Sequence, residues 1–260
     1  MSLAGRIVGV GLIGPGLPGW RESRAILAGE APHASTPTAI PTPEALPATE
    51  RRRAGKTVKL ALATGFAACA DAGREAHSLA AVFTSSTGDG DNQHAICEVL
   101  ASDDRDISPT RFHNSVHNAP AGYWGIATGA RAPSDSVAAF DASFGAGLVE
   151  ALGRLATEPS REVLLVSYDV PYPEPLLATR PMPDACGVGL VLAAAGGTGI
   201  AATFTREPPT RLDSPTLEAL RAAIPAARAL PLLQLLARGK PGRVVLEYVG
   251  GLGLAIEVMA

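Results

Sequence analysis

The segment APSDSVAAFDASF, residues 132–144, decides how the chain is read. Pro133 interrupts whatever precedes it, Ser136–Phe140 predicts a short strand, and a helix follows from about Gly145 to Leu155. The pattern repeats outward. Leu79–Thr84 (LAAVFT) is a continuous apolar run that predicts a buried strand, followed by the polar, glycine-containing loop Ser85–Gly90. Glu162–Ser167 (EVLLVS) predicts another strand, and Ser167-Tyr168-Asp169 closes it. Near the N-terminus, Arg6–Leu12 (RIVGVGL) predicts a further strand. Strands that are apolar throughout are covered on both faces, so the fold class is α/β with helices layered on the sheet.

Two glycine pairs add antiparallel elements. Gly196-Gly197 divides two apolar runs within residues 185–205, which predicts a buried hairpin. Gly250-Gly251 separates Val244–Val249 from Leu254–Val258 and predicts a second. The sheets are therefore expected to be mixed. A helical pattern follows Thr49 and runs through Val58, Leu60, Leu62, Phe66 and Cys69 until Gly73 ends it. Shorter helices are predicted at His94–Leu100 and Thr216–Ala223. Residues 30–47 are too rich in proline for helix or central strand and read as a long surface connection.

With 260 residues, 47% apolar and 18% charged, the chain suits one domain over residues 1–260. A formal charge of −3 without an extended basic block argues against nucleic acid as partner. Ile7–Leu12 is short for a secretory signal, and glycines break the uncharged stretch 185–205, so no membrane span and a cytoplasmic location are expected. Cys69, Cys97 and Cys186 form no C-x-x-C pair and are odd in number, which suits a reducing compartment. Each reads as a small buried apolar residue. Neither a phosphate-binding loop nor a dinucleotide fingerprint is present, and no cofactor is expected.

The chemistry-bearing residues concentrate in Arg111–Trp124 (RFHNSVHNAPAGYW). His113 and His117 stand four apart and would share a helix face, as metal ligands do, but no carboxylate or thiol is placed to complete a shell. The remaining readings are hydrogen bonding within a buried turn, or the lining of a pocket or subunit interface. Arg51, Arg52 and Arg53, with Lys56 and Lys59, form a basic patch suited to an acidic partner, or simply a solvated helix face.

These segments together resemble the ketosynthase family. Phe112–Gly129 (FHNSVHNAPAGYWGIATG) is similar to its Asn-Ser-Val-x-Asn-Ala-x-Ala-Gly region, and Leu46-Pro47 with Glu50–Arg53 resembles the start of its first long helix. Ala132–Phe144 resembles the nucleophile segment, Gly-Pro, a strand, then Thr-Ala-Cys. Val249–Leu254 resembles only the last glycine-rich hairpin. The resemblance spans most of residues 1–200 and implies a thiolase-like layered fold whose C-terminal half is truncated.

In that alignment the cysteine position falls on Asp141. A carboxylate cannot form the thioester on which condensation depends; as a cap for the following helix it is well suited. Ser143 lies two residues on, without a G-x-S-x-G elbow or an evident base. The family's two C-terminal histidines have no counterpart, because His33, His77, His94, His113 and His117 all precede the nucleophile segment. The resemblance thus implies no catalytic residue. It implies a chain-length-factor-like subunit, similar to those of aryl polyene and polyketide pathways, paired with a catalytic ketosynthase through the sheet edge beside the nucleophile and served by acyl carrier protein. Phe112, Tyr123, Trp124, Phe140 and Phe144 would wall the tunnel, each of them alternatively plain core, with His113, Asn114, His117 and Asn118 at the interface. Arg51, Arg52 and Arg53 would meet the carrier protein. Two other readings stay open: an acyltransferase or hydrolase using Ser143 or Asp141, and a homodimeric scaffold that binds carrier protein.

Overall fold

The apolar runs become neighbouring strands because a strand that is apolar throughout must be covered on both faces. The computed structural model describes residues 2–259. Along it run β1 (Leu3–Ile13), α1 (Trp20–Ala28), α2 (Ala48–Arg53), α3 (Lys56–Ala72), β2 (Ala80–Thr84), α4 (Gly90–Ala101), α5 (Pro109–Asn114), α6 (Ala119–Thr128) and β3 (Ser134–Val137). Then come α7 (Ser143–Thr157), β4 (Val163–Asp169), α8 (Leu176–Thr179), β5 (Cys186–Ala193), β6 (Thr198–Thr205), α9 (Pro215–Ala223), α10 (Leu230–Arg238), β7 (Gly242–Glu247) and β8 (Gly253–Val258). The strands form one sheet in the order β3-β2-β4-β5-β1-β6-β8-β7. β2 pairs parallel with β3 and β4, and the other pairs are antiparallel, so the sheet is mixed as expected.

Every residue of β2, β4 and β5 is buried. One face packs a core around α7, built from Leu148, Leu152 and Leu155 against Leu165, Leu190 and neighbours. The other face carries α3 and α6, with Leu60, Leu62, Phe83 and Trp124 at its centre. Helices on both faces of strands buried throughout make this the α/β layered fold of the thiolase-like type.

Two expectations need correction. Gly196-Gly197 is not a hairpin turn, because β5 and β6 pair with β1 and lie on opposite sides of it. β1 is long enough to serve both, Arg6–Ile13 against β5 and Leu3–Ile7 against β6. The glycines, at φ 82° and 52°, cross over β1 at Ile7 and Val8, and Arg6 donates to the Gly197 carbonyl at 2.8 Å to hold the crossing. Gly250-Gly251 does join paired strands, with Glu247 opposite Gly253. The helix expected between Thr49 and Gly73 is two, since Ala54 is extended and α3 restarts after Gly55. The helices α1, α5, α6, α8 and α10 lie outside the predicted set.

α3 lies unusually close to the sheet. Gly9 and Gly11 of β1 and Gly189 of β5 face it, and a Cβ on Gly11 would stand 2.8 Å from the Ala68 backbone nitrogen and nearer still to the Thr64 carbonyl. Backbone lies on both sides, so nothing can rotate away. Gly11→Val is expected to cost about 3 kcal/mol and lower the melting temperature by about 6–10 °C. Thermal unfolding checks this, and an unchanged midpoint would contradict the packing.

Candidate functional site

β3 ends at Val137, and the chain folds through a tight 3-10 turn over Phe140–Ala142 before α7 begins. Phe140 takes φ 53°, a left-handed conformation costly for a residue with a Cβ, so the surroundings must hold it. Ser143 supplies part of that hold. Its hydroxyl accepts the Ala139 N–H at 3.0 Å and donates to the Phe140 carbonyl at 2.6 Å, and the residue is fully buried. A hydroxyl committed to both bonds in the closed turn is structural.

Asp141 does not cap α7, contrary to expectation, for no side chain caps that helix. Its carboxylate lies between two guanidiniums instead. Arg180, just beyond α8, pairs with one oxygen, and Arg228 donates to the other at 3.1 Å. Arg180 also donates to Ser86 Oγ at 3.1 Å, and its guanidinium lies 3.8 Å above the centre of the Phe140 ring. Arg228 continues to Glu247 at 3.1 Å, Glu247 pairs with Arg221, and Arg221 grips Glu218 through two bonds of 2.7 Å. The Arg221 hydrogen bonds hold the Glu218 carboxyl down at about 2. Charges of alternating sign thus run from the turn to α9.

Beneath this ladder lies Asp169, fully buried at the end of β4. It accepts N–H groups of Ser86 (2.8 Å), Thr87 (3.2 Å) and Ala226 (2.9 Å) and the Ser85 hydroxyl (3.1 Å). Burial pushes its carboxyl up to about 6 against the pull of those donors. The donors come from the loop after β2 and from the turn that carries Arg228, so one carboxylate fixes both.

The histidine-rich segment is resolved into different elements. His113 belongs to α5 while His117 lies in the turn before α6, so they share no helix and the spacing loses its bearing on metal binding. His117 Nε2 lies 3.1 Å from the Ser85 carbonyl oxygen. Asn114 donates to the Arg53 carbonyl at 3.0 Å and accepts from Tyr123 at 3.1 Å, pinning α5 to α2 and α6. Among the described residues no histidine hydrogen-bonds to Asp141 or Ser143.

Of the five aromatics, Trp124 and Phe144 are packed in the core, Trp124 against Phe66 at 4.8 Å between ring centres. Phe112 and Phe140 are 68% and 64% exposed. Phe112, Val116 and Ile126 are exposed together, and with His113, Asn118 and the edge of Tyr123 they line an open groove of about 610 Å³ between α5 and α6. That volume lies in the range of small-molecule sites, and so much clustered apolar surface marks a place of contact. β3, against which α6 packs, is the outermost strand at this end of the sheet. In the basic patch, Arg51 pairs with Glu44 at 2.6 Å, Arg53 with Glu50 at 3.2 Å and Lys56 with Asp91 at 3.7 Å, which leaves Arg52 and Lys59 without an acidic partner among the described residues. Burial pushes the thiols of Cys69 and Cys186 up to about 12, which removes them as nucleophiles; Cys97 is exposed on α4, not buried as expected.

A family model described as the beta-ketoacyl synthase N-terminal domain matches residues 20–244. Among solved structures, a chain of the ketosynthase (ApeO) in complex with its chain length factor (ApeC) from Xenorhabdus doucetiae is 25% identical, with a TM-score of 0.74 over 98% of this chain and 99% of that one. The ishigamide ketosynthase/chain length factor is 15% identical, with a TM-score of 0.71 over 98% and 99% of the two chains. A beta-ketoacyl synthase from Burkholderia phymatum is 16% identical, with a TM-score of 0.57 over 92% of this chain and 71% of its own. The last two speak for the fold alone. No curated protein matches the sequence.

The buried carboxylate has a pH signature. Asp169 titrates above the ordinary aspartate value of 3.8. Between about pH 4 and 6 the native protein therefore holds a proton that the unfolded chain has released. Its contribution to stability is complete below about pH 4 and is lost as pH rises through about 6, a change of at most about 3 kcal/mol. Denaturant titrations of the wild type and Asp169→Asn across that range should show the difference moving against the wild type as pH rises. A flat difference would contradict the assignment.

Proposed function

We propose, for a chain that belongs to the beta-ketoacyl synthase family through its N-terminal domain, that it is a non-catalytic subunit of the chain-length-factor kind. In this reading it pairs with an active ketosynthase and walls the tunnel that receives the growing acyl chain. One observation carries the proposal: at the nucleophile turn stands Asp141, its carboxylate engaged by Arg180 and Arg228. Condensation needs a thiolate that takes the acyl group and histidines that assist decarboxylation. This turn offers a carboxylate neutralised by two cations and a serine hydroxyl bound on both sides.

Several features support a partnered role. β3 is an unpaired edge that runs straight into the turn, where a second subunit's sheet can continue it. The exposed aromatic Phe140 and the groove of Phe112, Val116 and Ile126 give that subunit apolar surface to cover. The relative from Xenorhabdus doucetiae is a chain of a complex between a ketosynthase and its chain length factor. Phe112 and Phe140 are therefore the residues of the five aromatics that meet the chain or the partner, with His113 and Asn118 on the groove wall; Tyr123 closes its floor, and Trp124 and Phe144 shape it from within the core. Acyl carrier protein would approach the complex, with Arg52 the exposed unpaired cation of the basic cluster, and the chain would work in the cytoplasm. No observation favours a hydrolase, since Ser143 would have to abandon both bonds that hold Phe140 left-handed.

Co-expression with a candidate ketosynthase is expected to yield a stable complex that elongates acyl chains, while the purified chain alone does not condense acyl thioesters. Condensation by the isolated chain would overturn the proposal. Within the complex, Phe112→Ala should shift the product distribution to longer chains and Phe112→Trp to shorter ones, read by mass spectrometry of the released products. Identical distributions would remove Phe112 from the tunnel.

A further inference from the structure

Arg180 and Arg228 reach Asp141 from segments 39 and 87 residues away along the chain, and both side chains are largely buried. A guanidinium is removed from water only where an anion and hydrogen-bond acceptors replace it. Both arginines are held in place by groups other than Asp141. Arg180 is bonded to Ser86 and stacked on Phe140, and Arg228 is bonded to Glu247, which Arg221 holds in turn. The donors also exceed the acceptors supplied, for Arg228 Nε is buried without a hydrogen-bond partner. Planar, prepositioned guanidinium forks are matched to a carboxylate.

We propose that Arg180 and Arg228 form a carboxylate-binding site that the chain fills with its own Asp141, and that this internal ligand clamps the nucleophile-position turn to the C-terminal segment. The site does not depend on pairing with a ketosynthase, so its failure and the failure of the proposed function are separable. Removing the Asp141 side chain leaves two cations facing an empty space of carboxylate size. A small external carboxylate then takes the vacated place. The clamp also explains why the turn keeps its shape without the chemistry for which such turns serve as nucleophile positions. The arginines, and with them the path of the chain over Phe140, are set by charge.

The test compares Asp141→Gly in sodium formate and in sodium chloride at equal ionic strength, by thermal unfolding of the full chain. In chloride the melting temperature should fall by about 5 °C; formate should restore at least half of the loss and have no such effect on the wild type. The recovery should vanish when Arg228→Gln is added. A melting temperature unchanged by Asp141→Gly, or a loss equal in both salts, overturns the proposal. If Asp141→Gly folds only in formate, the proposal stands. If it folds in neither salt, the isosteric Asp141→Asn decides: its midpoint should drop by a few degrees without response to formate, and an undiminished midpoint overturns the site.

Discussion

A single carboxylate at the end of β4 organises the region on which function turns. Asp169 is out of contact with water and accepts hydrogen bonds from Ser85, Ser86, Thr87 and Ala226. Buried backbone N–H groups must find acceptors, and here one side chain serves two loops at once. Ser86, held this way, is a partner of Arg180; Ala226, held this way, opens the turn that carries Arg228. Both arginines that reach Asp141 therefore trace their positions back to Asp169. The surrounding core of α7 against β1, β4 and β5 provides the rigid support, but the placement of charge comes from this one buried group.

The chemical consequence is a tight turn that presents a charge-paired carboxylate at the start of a helix. Phe140 takes the left-handed conformation, α7 begins immediately after the turn, and the side chain presented at the junction is a carboxylate. Its negative charge is met by two guanidiniums, and Ser143 ties the turn from inside. In the proposed function the outward surfaces are what a partner and a growing apolar chain would meet. The exposed cluster of Phe112, Val116 and Ile126 beside the edge strand supplies such a surface.

Some of this was legible in the sequence because it is local. Continuous apolar runs mark the strands at 80–84 and 163–169. The failures share a cause, which is sequence separation. Nothing near Gly196-Gly197 announces that β1 lies between the strands the pair connects. Arg180 and Arg228 lie in stretches without a motif, and only the folded chain brings them to Asp141. Asp169 reads in the sequence only as the end of a strand, and the loops it gathers lie far from it along the chain. The spacing of His113 and His117 has meaning only inside one helix, and Ser115–Asn118 forms a turn.

Intact-mass spectrometry of the co-purified complex, incubated with an acyl donor, bears most directly on the claim that the turn at Asp141 is chemically silent. The account predicts an acyl adduct on the partner ketosynthase and an unmodified mass for this chain. An adduct on this chain that disappears in Asp141→Asn or Ser143→Ala would contradict it.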